Sequence, residues 1–204
     1  MHDAQQYQTT EAIILASGSK TRHQLMQATG LDVIVLPPAL DESALRDQNK
    51  GLDTATIAML LSDAKGHKIS NQEAEAYVIS ADQVGEIDGQ LLEKAETAKD
   101  CIRQLMRLQG RKHTLFTATS LFYKGKCLWH TVQKAHLTMR ELRIDEIKQY
   151  IMDDKPEGSV GGYHYEKKGK ALFSQVDGEL ETIVGFGVQR LLRFLEFQQL
   201  ISKV

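Results

Sequence analysis

Short apolar runs that stop abruptly at polar or glycine-bearing loops set the tightest limit on what this chain can fold into. Ala12-Ile13-Ile14-Leu15-Ala16 is the first, Ser17-Gly18-Ser19 breaks it, and Thr21 to Ala28 then places Leu25 and Met26 on one helical face before Gly30. A continuous apolar run of this length fits a buried strand, and the pattern after it fits a helix. Asp32 to Leu36 reads as the next strand, closed by Pro37-Pro38, with a polar loop starting at Leu40-Asp41-Glu42-Ser43. A helix follows from Thr54 to Gly66. Ala76 to Ala81 is another apolar strand, and it delivers Asp82-Gln83 at its C-terminal end.

Beyond it the pattern changes character. Val84 to Ile87 and Gln90 to Leu92 flank Asp88-Gly89, a dipeptide suited to a tight hairpin turn. Thr97 to Leu108 carries an apolar stripe of Cys101, Ile102, Leu105, Met106 and Leu108. Thr114 to Tyr123 and Cys127 to Thr138 read as two long strands joined at Lys124-Gly125-Lys126, an antiparallel pair. Ile144 to Met152 reads as a helix capped near Asp145 and ended by Lys155-Pro156; Ala171 to Val176 reads as a strand and Val188 to Phe197 as the closing helix. Alternating strands and helices together with one long hairpin predict an α/β fold with a twisted mixed sheet flanked by helices.

Length and composition agree with one domain. The 204 residues are 42% hydrophobic and 25% charged, enough to bury a core. Residues 1–10 read as a polar N-terminal extension and 11–204 as a single domain. Lys+Arg 25 against Asp+Glu 27 gives a net charge of -2, so no basic field exists to grip nucleic acid. No apolar run is long enough to span a membrane, and the first residues lack a signal-peptide pattern, so a reducing cytoplasm is the simplest expectation. Cys101 and Cys127 suggest no disulfide framework, and the histidines form no HxxxH or HExxH pattern, so a zinc site is not expected.

Four features sit at strand ends or loops, where α/β folds hold ligands. Ser17-Gly18-Ser19-Lys20-Thr21-Arg22 joins a strand to a helix N-terminus, bringing backbone N–H groups, hydroxyls and two cations together as an anion would require. An ordinary N-capped helix explains the same residues. Asp82 at a strand mouth can hold a divalent metal or deprotonate water, or can serve as a turn residue. Asp41-Glu42 offers a further carboxylate, and Lys65 and Lys94 would neutralise a polyphosphate if they face the serine loop. The common ATPase, dinucleotide and nucleophile-elbow fingerprints are missing. What survives describes metal-assisted hydrolysis of a phosphoanhydride.

These pieces, in this order, resemble the Maf family of nucleotide pyrophosphatases from Ile13 to about Leu195. Leu15-Ala16-Ser17-Gly18-Ser19-Lys20-Thr21-Arg22 is similar to the family's opening loop, Leu40-Asp41-Glu42-Ser43 to its acidic turn, and Ala64-Lys65 to the end of the next helix, with Gly66 where Ala is usual. Ile79-Ser80-Ala81-Asp82-Gln83-Val84, Leu92-Glu93-Lys94-Ala95, Leu108-Gln109-Gly110-Arg111-Lys112-His113, Gly161-Gly162-Tyr163 and Ile183-Val184-Gly185-Phe186-Gly187 resemble later family segments. The resemblance implies a two-lobed domain with a central cleft, like that of inosine triphosphate pyrophosphatases. It implies hydrolysis of a nucleoside triphosphate to monophosphate and pyrophosphate with Mg²⁺, Mn²⁺ or Co²⁺, and a homodimer. On that analogy Asp82 activates water, Glu42 and Asp82 hold the metal, and Ser17, Arg22, Lys65 and Lys94 bind the triphosphate.

Thr21, Gln83 and Glu166 occupy the positions that separate the family's branches, and Gln83 with Glu166 resembles the branch acting on 7-methyl-GTP. A carboxylate at Glu166 can accept hydrogen bonds from guanine N1–H and the exocyclic amine and favours a methylated, positively charged ring. Lys20, Ala95 and Gly187 stand where the family has proline, and Gly158-Ser159 replaces an Asp-Lys pair. A division regulator that binds nucleotide without turnover, and a pyrophosphatase for dTTP and UTP or for ITP and XTP, are the rival readings.

Overall fold

The computed structural model describes residues 6–204. In chain order the elements are β1 (Tyr7–Gln8), β2 (Ile13–Ala16), α1 (Lys20–Gln27), β3 (Ile34–Val35), α2 (Glu42–Gln48), α3 (Thr54–Gln72), β4 (Tyr77–Ile87) and β5 (Gln90–Leu92). They continue with α4 (Ala98–Leu108), β6 (Lys112–Tyr123), β7 (Lys126–Met139), α5 (Ile144–Asp154), a 3₁₀ turn (Lys168–Leu172), β8 (Phe173–Asp177), α6 (Leu180–Ile183), α7 (Val188–Phe197) and β9 (Ser202–Lys203). The main sheet has the order β3-β2-β4-β6-β7-β8, with β5 added to β4. Parallel pairs β2/β3 and β2/β4 stand beside antiparallel β4/β5 and β7/β8, so the sheet is mixed. No helix among the described residues is long and apolar enough to cross a membrane.

The chain divides into two compact units. The first comprises residues up to 82, 117–133 and 185–204; the second comprises 83–116 and 134–184. The first unit packs α7 and the β2 and β4 strands around Leu15, Met26, Ile79, Leu121 and Phe186. Its closing helix buries Val188, Leu191, Leu192 and Leu195, an i, i+3, i+4, i+7 stripe. Each such side chain contributes roughly 2 kcal/mol of burial. A smaller cluster of Ile14, Val78, Ile69 and Phe122 closes the other face. β1 pairs antiparallel with β9, and Tyr7 enters the core.

The second unit is built on Cys101, Leu105 and Leu108 of α4 packed with Leu115, Leu137, Ile147 and Ile151. Thr97 caps α4 reciprocally with Asp100, satisfying two N-terminal N–H groups. The Asp88-Gly89 hairpin turn forms as its sequence requires, with φ of 51° and 71°.

Some expected elements take a different form. The stretch from Leu40 is not a loop throughout, because Asp41 Oδ1 accepts from the Ala44 N–H at 3.0 Å and starts α2. β4 does not end before Asp82; it runs on through buried Val84 and Ile87 to pair with β5, which leaves Asp82 in mid-strand. The cap position of α5 is Arg143, whose N–H is taken by Glu146 at 2.9 Å. Residues 168–172 turn before β8 begins at Phe173.

Candidate active site

Helix α3 carries the feature on which the site turns. Its buried positions are Thr54, Ile57, Ala58, Leu61, Ser62, Lys65, Gly66, Ile69 and Ser70, a repeating i+3/i+4 stripe with a lysine inside it. An ammonium on a buried stripe must be paired, because an unpaired buried charge is very costly. Lys65, 5% exposed, is paired twice: its Nζ donates to Asp82 Oδ1 of β4 and lies 2.9 Å from Glu42 Oε1 at the start of α2. Two carboxylates from separate elements thus meet on one cation. Asp82 is 4% exposed.

The serine loop supplies the second cation. Ser19 caps α1 by accepting from the Arg22 N–H at 3.3 Å, and the buried Ser17 hydroxyl accepts from Ser19 N–H at 3.2 Å. The Arg22 guanidinium donates through Nη1 to Ser17 Oγ at 3.3 Å and to Ala81 O at 2.9 Å, and through Nε to Gly185 O at 2.8 Å. Burial lowers its pKa, while the charges of Asp82 and Glu42 pull it upward. The guanidinium therefore ties the loop to the residue before Asp82.

The structure brings Ser17, Arg22, Glu42, Lys65 and Asp82 into one cluster in the first unit, with Thr21 half-buried in the first turn of α1. Gln83, Lys94 and Glu166 belong to the second unit. Gln83 Nε2 donates to the carbonyls of Thr182 at 2.8 Å and Ile183 at 3.0 Å, which fixes the amide nitrogen's side and satisfies the end of α6. Lys94, half-buried, forms a backbone bridge with Val160. Glu166 is exposed on a tight loop whose His164 carbonyl accepts from Lys167 N–H at 3.3 Å and Gly169 N–H at 3.1 Å. The loop is held to α5 by the His164 N–H, which donates to Tyr150 Oη at 2.9 Å.

Chemically, Glu42 and Asp82 offer hard oxygen donors aimed at a single point, and such donors suit Mg²⁺, Mn²⁺ or Co²⁺ with water and phosphate completing the shell. The donor set fits a divalent cation. The surrounding cations suit a polyanion.

Comparison with known proteins shows the family. The family described as Maf-like protein matches residues 12–198. A protein of Nitrobacter winogradskyi named nucleoside triphosphate pyrophosphatase is 38% identical, covering 95% of this chain and 96% of the relative. One of Bartonella quintana named 7-methyl-GTP pyrophosphatase is 32% identical, covering 89% and 93%. Among solved structures, that of a HAM1 protein from Coxiella burnetii shares the fold with a TM-score of 0.51 at 13% identity, covering 92% of this chain and all of that one. With its family match spanning the whole site and its relatives aligned nearly end to end, the chain belongs to the Maf family.

Proposed function

We propose that the chain is a metal-dependent nucleoside triphosphate pyrophosphatase whose preferred substrate is 7-methyl-GTP. The carrying observation is the buried Lys65 shared by Asp82 and Glu42 beside Arg22. The reaction places a water oxygen on a phosphorus of the α–β phosphoanhydride and breaks that bond, releasing monophosphate and pyrophosphate. Asp82 accepts the proton of the attacking water. Lys65 keeps the two carboxylates together in the free enzyme and turns toward the triphosphate when it binds. Ser17, Arg22 and Lys94 bind the triphosphate, and Arg22 and Lys65 stabilise the negative charge that grows on the departing pyrophosphate. A divalent cation held by Glu42 and Asp82 would neutralise phosphate charge and polarise the reacting group.

The base reading rests on Glu166, whose exposed carboxylate stands at the tip of a loop anchored by Tyr150. A carboxylate pairs with the guanine N1–H and amine, and pyrimidines offer no such donor pair. Gln83 and Thr21 contribute through the branch positions they occupy, Gln83 by holding α6.

Pyrophosphate release is measured with Mg²⁺, Mn²⁺ or Co²⁺ across 7-methyl-GTP, GTP, UTP, dTTP and ITP. We expect the highest kcat/KM on 7-methyl-GTP, a loss of that preference in Glu166→Gln, and a fall in kcat of at least about 10²-fold in Asp82→Asn with unchanged circular dichroism. Preference for UTP and dTTP would overturn the base assignment. Full turnover in Asp82→Asn would overturn the catalytic one.

A further inference from the structure

On the first unit, helix α3 and strand β7 bring together a second set of ligand-type side chains that the proposed reaction does not use. One ligand atom each from Asp63, Cys127 and His130 lies within 4.8 Å of the other two. We propose that these three residues form a metal site of the zinc class, separate from the Glu42 and Asp82 carboxylates.

Strand alternation would send residues 127 and 130 to opposite faces. Instead Cys127 Sγ lies 3.9 Å from His130 Nδ1, so both point the same way. A tetrahedral centre with bonds of about 2.0–2.3 Å holds its ligand atoms roughly 3.3–3.8 Å apart. The cysteine and histidine are nearly at that spacing, and both are exposed enough to close the remainder by small rotations. Asp63 is oriented from behind: Ser120 Oγ donates to its Oδ1 at 2.6 Å, and Ser62 Oγ lies 3.1 Å from Ser120 Oγ. Such outer hydrogen bonds are what aim a ligating carboxylate.

The chemistry of the set chooses the metal. A thiolate, an imidazole and one carboxylate form a borderline-soft site that suits Zn²⁺ and disfavours Mg²⁺ or Ca²⁺. Binding replaces the Cys127 S–H bond by a sulfur–metal bond and releases the proton to solvent. Three protein ligands leave the fourth position to water.

The test uses the full chain and the metal alone. Equilibrium dialysis with Zn²⁺ should give one site that Asp82→Asn leaves in place, Glu42 still pairing Lys65 in that variant. Affinity should fall at least about ten-fold on adding Cys127→Ser, His130→Ala or Asp63→Asn. Titration with Co²⁺ should produce thiolate-to-cobalt charge-transfer absorption that survives Asp82→Asn and vanishes in Cys127→Ser. Cys127 and His130 are exposed, so their metal-free variants should melt with the parent. Absence of the absorption, its persistence in Cys127→Ser, or unchanged Zn²⁺ affinity in His130→Ala would overturn the site, whatever the outcome of the nucleotide assays.

Discussion

At the scale of single residues, Lys65 decides most. Its removal takes away the ammonium on which Glu42 and Asp82 meet, and breaking a buried pair such as Lys65–Asp82 typically costs about 3–5 kcal/mol. Lys65→Met is expected to lose that much stability in urea titrations and to lose pyrophosphate release. Adding Asp82→Asn should restore most of the stability while activity stays absent, because the buried carboxylate that lost its ammonium is gone. A double variant no more stable than the single one would remove the ion-pair explanation. Lys65 was legible as part of a family motif, but its burial was readable only from its place in the i+3/i+4 stripe of α3. Two departures from the family pattern also acquire reasons. A Cβ on Gly66 would sit 2.5 Å from Phe122 Cδ2 and 2.6 Å from Ser80 Oγ, so the volume of the usual alanine has gone to Phe122. Gly187 donates its N–H to Thr119 Oγ1 at 3.1 Å, a bond that a proline there could not make.

At the scale of elements, β6 places His113 where water cannot reach it. Its Nε2 lies 2.7 Å from Tyr163 Oη, and burial pushes the imidazole down to about 4. The unfolded chain takes up a proton below its ordinary value of 6.5 while the folded one resists until about 4. Stability from this group is therefore complete above pH 6.5 and is lost as pH falls toward 4, by about 3 kcal/mol in all. Urea titrations between pH 7 and 4 should show that slope, and His113→Gln should flatten it; an equal slope in the variant would assign the effect elsewhere. Helices with a clear apolar face were readable in the sequence: α7 has the predicted bounds, and α4 begins one residue after its predicted start at Thr97, which caps it. Helix α2 was not, since none of its residues is buried and its start depends on the Asp41 side chain. Asp82 looked like a strand end because polar residues follow Ala81, yet the β5 partner carries β4 onward. Cys127 and His130 escaped notice because three-residue spacing on a strand suggests opposite faces.

At the scale of the whole molecule, two cores share three strands. β4, β6 and β7 each run unbroken from one unit into the other. Disturbing one core should therefore unfold both. Leu105→Ala in the second unit and Leu191→Ala in the first should each cost about 2–5 kcal/mol. In both variants Trp129 fluorescence, which reports a first-unit ring stacked on Phe194, should change at the same urea concentration as far-ultraviolet dichroism. Separated midpoints would show that the units unfold independently. The mixed sheet was legible because apolar runs and the long hairpin are local signals. The cluster around Lys65 needed long-range pairing of α2, α3 and β4, which spacing alone does not encode. The short ladder that sets Tyr7 opposite Lys203 and Gln8 opposite Ser202, with Val204 N–H donating to Gln6 O, makes the described backbone almost a ring. Order along such a ring is a matter of where it is cut: a chain spliced from 204 to 6 and opened at the Lys124-Gly125 turn would keep its strand order in the sheet, in a new sequence of synthesis.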